Sequence, residues 1–232
     1  MLKHCLLFIT AAFCINVSMA QETVELRYKL SNNVTEVFHV LKNSVNTRQG
    51  LFQAIYKKKV PVASGMFDND KKTGLWRFTD PNGQVLQTYD YSQKKVYFEA
   101  PEDTSSPLRY YVDLELKPTD KVTKPVKIGG RYYGYLPYLT LFTLPTGYKE
   151  IDRGIVDAVV VLLISPFGRL ADYKVNLIAK GLSEPFKTVN MNINLPDPAD
   201  LVFTPATLNG EPVACRITIK CSVDSKGHLD FE

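Results

Sequence analysis

The stretch GIVDAVVVLLISPFGRLADYKVNLI, Gly154 to Ile178, decides how this chain is read. A β-branched run, Ile155 to Ile164, stops at Ser165-Pro166-Phe167-Gly168, and a second run, Leu170 to Ile178, follows. Such apolar runs fit a strand or a buried helix by periodicity alone; the β-branched content and the Pro/Gly boundary favour strand. Pro166 supplies the fixed φ of a turn and Gly168 the positive φ of its exit. The stretch therefore predicts a β-hairpin whose first strand is covered on at least one face. Downstream, Leu182-Ser183-Glu184-Pro185-Phe186 reads as a helix start with Ser183 as N-cap. Phe186, Val189 and Ile193 then form a narrow apolar stripe at helical spacing. Val213 to Val223 alternates and predicts a third strand. The expected unit is hairpin, helix, strand, a small α+β domain.

These residues carry a resemblance. The hairpin, the short helix and then FTPATLNGEPVACRITIKCSV resemble the TonB C-terminal domain family, in which a Pro-Ala…Asn-Gly-Lys-Pro-Val-type segment leads into the final strand. Here that segment is Phe203, Pro205-Ala206 and Asn209-Gly210-Glu211-Pro212-Val213, with Glu in place of the usual Lys. Lys127-Ile128-Gly129-Gly130 and Tyr135 to Pro145 resemble the family's lead-in helix. The resemblance covers roughly the last hundred residues of the chain and is one of pattern, without an invariant catalytic motif.

The chain of 232 residues begins MLKHCLLFITAAFCINVSMAQ. Lys3 gives a positive start, Leu6 to Val17 a short apolar core, and Ser18-Met19-Ala20 a small-x-small site before Gln21. This is the pattern of a secretory signal peptide over 1–20, cleaved after Ala20. Phe13 before Cys14 argues against lipidation, which wants a small residue there. The longest later apolar run is interrupted by Asp157 and is too short to span a bilayer. The expectation is an exported chain, periplasmic or otherwise outside the cytoplasm, with no transmembrane span after cleavage. A formal charge of +4 and short basic runs at Lys57-Lys58-Lys59 and Lys71-Lys72 read as solvated loop tips. No basic stripe interleaved with aromatics points to nucleic acid. Cys215 and Cys221, six residues apart in one predicted strand, would lie roughly 20 Å apart, beyond bridging distance. They read as small buried hydrophobes. An exported chain with no disulfide framework points to a bacterial periplasm or envelope.

In the N-terminal half, Val24, Leu26, Tyr28 and Leu30 alternate before Ser31-Asn32-Asn33, and a second strand follows with Val37 and His39 opposite Phe38 and Val40. An internal repeat comes next. Gly50-Leu51-Phe52 recurs as Gly74-Leu75-Trp76, and Phe67 recurs as Tyr91. Asp68-Asn69-Asp70 and Asp80-Pro81-Asn82-Gly83 are turn signals between them. Each unit predicts a hairpin with aromatics at alternate positions, which needs its neighbour stacked beside it. Gly65, Phe67, Gly74, Trp76, Phe78, Gly83 and Leu86 resemble the MORN-repeat variant of bacterial exported proteins, with Lys72 and Thr73 where that family often has Gly. A MORN-like half joined to a TonB-C-like tail resembles an arrangement of Bacteroides-type exported proteins in Gram-negative bacteria.

The expected fold class is therefore α+β: an antiparallel MORN-like β-repeat sheet over 21–98 and a TonB-C-like domain with one or two helices over 127–232. Residues 99–126 read as a linker, polar and proline-bounded at Glu99 to Pro107 and again at Pro118 to Pro125, with one more strand over 109–116.

Signals for chemistry are thin. His39 falls in a predicted strand and His228 in the polar tail, and neither has a second His or a Cys at metal-ligand spacing. No His-Glu-x-x-His, Gly-x-Ser-x-Gly or phosphate-loop pattern occurs. Asp152, Asp157 and Asp172 flank the hairpin, where strand-end acids are ordinarily solvated. No enzyme activity, metal or cofactor is expected. Tyr132, Tyr133, Tyr135 and Tyr138 form a candidate aromatic surface for sugar or peptide, although Leu136, Leu139 and Phe142 beside them make a segment packed on the sheet the simpler expectation.

The remaining route to function is the backbone. The resemblance implies pairing with an extended segment of an envelope partner such as a TonB-dependent outer-membrane component. The candidate edge is the last strand, with Val213, Cys215, Arg216, Ile217, Ile219 and Lys220 as its residues. Energy transduction is not expected, because a transducer keeps an inner-membrane helix and a long Pro-rich spacer. The reading is a non-enzymatic, exported protein-binding protein. The alternatives are an anchored accessory of TonB-dependent transport, and a glycan binder or envelope enzyme using the tyrosines.

Overall fold

The computed structural model describes residues 22–102, 104–148 and 151–231. The expected signal peptide and its cleavage site lie outside the described residues. Seven strands follow one another as an antiparallel meander: β1 (Thr23–Lys29), β2 (Val34–Leu41), β3 (Ser44–Tyr56), β4 (Val60–Asp68), β5 (Lys71–Thr79), β6 (Val85–Asp90) and β7 (Lys95–Glu99). The turns are where the sequence puts them. Lys57-Lys58 and Asn69-Asp70 each place two successive residues at positive φ, 44° and 62°, then 47° and 65°. That geometry joins the twisted strands β3–β4 and β4–β5 without splaying them. At the β5–β6 turn the Asp80 carboxylate accepts from the backbone N–H groups of Asn82 and Gln84, each at 2.8 Å.

The internal repeat is visible in the packing. Gly50 and Gly74 take positive φ, 89° and 60°. Gly50 stands opposite Phe67 in the β3–β4 register, and the Gly74 carbonyl accepts from Tyr91 N–H at 2.9 Å. Both units send their aromatics to one face. There Trp76, fully buried, lies 5.2 Å from Phe52, 5.4 Å from Phe67 and 5.4 Å from Tyr91 between ring centroids. Gly65 makes room for it, since a Cβ at that position would sit 2.2 Å from Trp76 Cδ2. Gly65→Ala is therefore expected to destabilise the chain by about 1–3 kcal/mol through overpacking, read as a lower urea midpoint at unchanged m-value.

The second sheet is built on the hairpin of β10 (Val156–Ile164) and β11 (Leu170–Ala179), paired from Val156↔Ala179 to Ile164↔Leu170. Gly168 has φ +67°, and a Cβ there would meet the Phe203 carbonyl oxygen at 2.2 Å. Four strands complete the sheet: β8 (Leu108–Tyr111), β12 (Pro185–Asn190), β15 (Cys215–Val223) and β16 (Leu229–Phe231). A small third sheet holds β9 (Val122–Thr123), β13 (Ala206–Leu208) and β14 (Glu211–Val213). One short α-helix, α1 (Leu136–Thr140), falls within the expected lead-in segment. The described residues thus form mostly antiparallel β-sheet with one short α-helix. Among the described residues no helix is long and apolar enough to cross a membrane.

Three expectations are corrected. The helix starting at Ser183 is strand β12, because the open edge of β11 takes up its backbone groups from Lys174↔Asn190 to Ile178↔Pro185. Thr188 and Val189 are β-branched, burial alternates along the segment, and Pro185 is tolerated as the first residue of an edge strand. The run Val213 to Val223 is interrupted at Ala214, so Val213 ends β14 in the third sheet while β15 belongs to the second. The expected strand over 109–116 is shorter, 108–111, and the linker-like stretch 118–125 contains β9.

Two apolar cores share one segment. Tyr132 and Leu136 pack with Phe52, Trp76 and Phe78 of the first sheet. Tyr135, Tyr138, Leu139 and Phe142 pack with Val160, Leu162, Tyr173, Ile217 and Ile219 of the second. The tyrosine-rich stretch is therefore the wedge between the sheets.

Candidate functional site

Beside that wedge a cleft of about 530 Å³ opens between the aromatic face of the first sheet and the loop 196–202. Its floor comes from alternate residues of β2 to β6, namely Glu36, Arg48, Phe52, Phe67, Lys72, Phe78 and Tyr89, and from Tyr91 just past β6. Strand periodicity puts these side chains on one face. Tyr28, Leu141 and Val202 stand at the cleft and expose apolar surface to solvent.

The sheet side carries two cations and the Glu36 carboxyl, and the loop side two acids with Lys127 beside them. On the sheet side the Arg48 guanidinium lies 5.4 Å over the Phe38 ring and 5.1 Å over Phe67, and its nearest acid is Asp70 at 3.8 Å. Lys72 Nζ lies 5.5 Å over Trp76 and 5.4 Å over Tyr91. Such contacts attract a cation to the ring face. On the loop side stand Asp197, whose carboxylate accepts from Ala199 N–H at 2.9 Å, and Asp200. Between them Lys127, buried, donates from Nζ to the Ala199 carbonyl at 2.7 Å and lies 3.4 Å from Asp200 Oδ1. Burial lowers the Lys127 pKa and raises that of Asp200, in each case against the attraction of the other. The pair is held ionised by contact and pushed towards neutrality by loss of water.

Glu36 is a second desolvated acid. Burial pushes its pKa up, while the Tyr133 hydroxyl, donating at 2.8 Å, and the charges of Arg48 and Lys72 oppose the shift. A carboxyl whose folded pKa is raised binds its proton more tightly in the folded state. Its contribution is present below the unfolded value, about 4.5, and is lost as pH rises through the folded one. Glu36→Gln keeps an acceptor for Tyr133 and removes the charge. The variant is expected to lose less stability than the parent chain between pH 4.5 and pH 7, measured by urea unfolding at both.

The sequence-expected residues fall elsewhere. Cys215, Ile217 and Ile219 point into the core and are buried. Arg216 pairs with Asp113, and Lys220 lies 3.6 Å from Asp157. Their strand is not an edge. β15 pairs with β10 on one side and with β8 and β16 on the other, and Lys220 N–H donates to the Pro107 carbonyl at 3.0 Å. Strand addition there is excluded because its backbone groups are already paired. Tyr132, Tyr135 and Tyr138 are buried, so the four tyrosines form no exposed platform, and Tyr133 alone of them lines the cleft. His39 and His228 contact backbone carbonyls, Leu51 O at 3.2 Å and Phe142 O at 3.1 Å. Asp152 caps the turn at Gly154 N, 2.8 Å away, and Asp172 lies 3.5 Å from Lys174. Among the described residues no group of His, Cys, Asp or Glu is placed to hold a metal.

Sequence reasoning missed Glu36, Arg48, Lys72, Lys127 and Asp200. The available signal was parity: Glu36 alternates with Phe38, and Lys72 with Gly74 and Trp76, which puts charge on an aromatic face. No protein-family model, curated protein or solved structure matches the chain.

Proposed function

We propose that this chain is an exported, non-enzymatic protein of the cell envelope that acts by binding a protein partner, and that a segment of the partner lies in the cleft between the two sheets. The observation that carries the reading is an aromatic floor bearing cations that faces a loop bearing acids. Arg48 and Lys72 rise from the floor, with Glu36 among them, and Asp197 and Asp200 stand on the loop, with apolar Leu141 and Val202 at the cleft. An extended polypeptide offers apolar side chains to the floor and carboxylate and ammonium groups to opposite walls. A neutral sugar would need open ring faces to stack on. Those of Phe67, Trp76 and Tyr91 are covered by Arg48 and Lys72.

The export part of the reading rests on residues 1–20 and the absence of a disulfide framework. The aromatic hairpins of residues 50–91 support a MORN-like first half. A TonB-C-like second half is supported by the hairpin and the Pro-Ala…Asn-Gly segment, and departs from that pattern in having β12 where the helix was expected.

The test is a displayed peptide library screened against the purified chain. Peptides carrying both an acidic and a basic group are expected to be enriched. Lys72→Glu should weaken each about tenfold or more, the scale of one charge-assisted contact, while Lys187→Glu, on β12, should leave them bound. Enrichment unaffected by Lys72→Glu, or binding of neutral oligosaccharides in place of peptides, would sink the proposal.

A further inference from the structure

The open edges of the two large sheets are not equally guarded. β12 begins with Pro185, carries a register shift at Leu177/Ile178, and sets half-buried Lys187 opposite Leu177 on the core face. Proline, irregular register and an inward-pointing charge are the devices that stop an edge from pairing further. β7 is short, five residues, and its ladder to β6 shifts at Thr88/Tyr89. β1 has none of these devices. Its seven residues are all exposed. Its register runs unbroken from Thr23↔Leu41 to Lys29↔Thr35, whereas each of the five other ladders of the sheet contains a shift.

Among the described residues no strand pairs with the outer side of β1, and the groups it presents there can be assigned. The Glu22 carbonyl accepts from Lys42 N–H at 2.9 Å at one end, and Leu30 N–H donates to the Val34 carbonyl at 3.0 Å at the other. Bonding alternates along an antiparallel strand. The even-numbered residues therefore bond to β2, and Thr23, Glu25, Arg27 and Lys29 turn their N–H and C=O outward. Val24, Leu26 and Tyr28 stand opposite Val40, Phe38 and Glu36, on the aromatic face, and remain 38–58% exposed.

We propose that β1 pairs with β1 of a second copy of this chain, antiparallel about Leu26, making one continuous sheet across the pair. The sequence TVELRYK is self-complementary in that register. Glu25 of each copy faces Arg27 of the other, Val24 faces Tyr28, and Leu26 faces Leu26. Thr23 faces Lys29. Every outward N–H and C=O of one copy meets its counterpart. Leu26 sits at a non-hydrogen-bonded pair, where opposite side chains approach most closely. The contact is isologous and closes at two copies. The two-fold axis stands perpendicular to the sheet, so both clefts open on the same side of the dimer. The surface joined is small, which places the dimer in the concentration-dependent range. The β1 pairing does not depend on what the cleft holds.

Sedimentation velocity on the purified chain over a concentration series tests it, with circular dichroism confirming that each variant is folded. A concentration-dependent dimer is expected. Glu25→Lys and Arg27→Glu each turn two attractive cross-strand pairs repulsive and should weaken the dimer about tenfold or more. The two variants mixed should associate again, because each Glu25→Lys chain then faces acids only, and the double variant E25K/R27E should regain the parent affinity. A monomer at every concentration, a dimer indifferent to both single variants, or a mixture that stays monomeric would overturn the proposal.

Discussion

Trp76→Ala is expected to cost about 3–5 kcal/mol, the range for removing a buried large aromatic. The indole is the centre of the first core. It is fully buried and stacks on Phe52 at 5.2 Å. Phe67 and Tyr91 meet it edge-on, each at 5.4 Å, and its Nε1–H donates to the Met66 carbonyl at 3.3 Å. Both hairpin repeats depend on it, one through Phe52 and Phe67 and the other through Tyr91. The loss should appear as a lower urea midpoint. The double variant gives a sharper check, because the three atoms nearest a Cβ at Gly65 all belong to this ring. Gly65→Ala should therefore be nearly neutral in the Trp76→Ala background. The coupling of the two changes, measured as a double-mutant cycle, should be close to the full cost of Gly65→Ala in the parent chain.

Lys127→Ala is expected to cost about 3–5 kcal/mol for a different reason. It removes one partner of a buried pair and leaves the Asp200 carboxylate without its cation. It also leaves the Ala199 carbonyl without the donor it has at 2.7 Å. The sign with pH follows from Asp200, whose pKa burial already raises and which rises further once Lys127 is gone. The penalty is present above that raised pKa and shrinks as pH falls through it and the carboxyl protonates. Lys127→Met combined with Asp200→Asn should recover most of the loss at pH 7, since it takes away both charges and keeps side-chain volume. Urea unfolding of the single and double variants at pH 5 and pH 8 separates these outcomes. A single variant equally destabilised at both pH values would show that packing, rather than the stranded carboxylate, sets the cost.

The parts of the fold legible in the sequence are those set by local chemistry. The β10–β11 hairpin follows from β-branched runs on either side of Ser165-Pro166-Phe167-Gly168. The turns at Lys57-Lys58 and Asn69-Asp70 follow from polar residues between alternating strands. The burial of Cys215 and Cys221 with Ile217 and Ile219 follows from even spacing along one strand. What was not legible depends on pairing over long separations. Phe186, Val189 and Ile193 fit a helical stripe, and Pro185, Lys187 and Val189 fit an alternating strand equally well. The unfilled edge of β11 decides between them. β15 reads as an edge because its outer partners are short, four residues in β8 and three in β16, and neither carries a periodic signature.

The cleft was the least legible part. Glu36, Arg48, Lys72, Lys127 and Asp200 share no motif and meet only after the tyrosine wedge sets the second sheet beside the first. The tyrosines, singled out as a binding surface, serve as that wedge. Two of their hydroxyls are used inside the fold: Tyr138 donates to the Asp200 carbonyl and Tyr133 to Glu36, while the Tyr138 carbonyl accepts from the Tyr173 hydroxyl. They position the acidic wall and the Glu36 carboxyl without offering a platform themselves.

For a partner's polypeptide segment entering the cleft the chain carries its own reporter, since Trp76 is its one tryptophan. The most direct measurement is the indole N–H resonance of ¹⁵N-labelled protein during titration with a library-selected peptide. A segment seated between Lys72 and Asp197 displaces the ammonium that covers the ring, so the resonance should shift in a saturable way that Lys72→Glu weakens about tenfold or more. Saturable binding seen by calorimetry with the Trp76 signal unmoved would place the peptide elsewhere and contradict the claim.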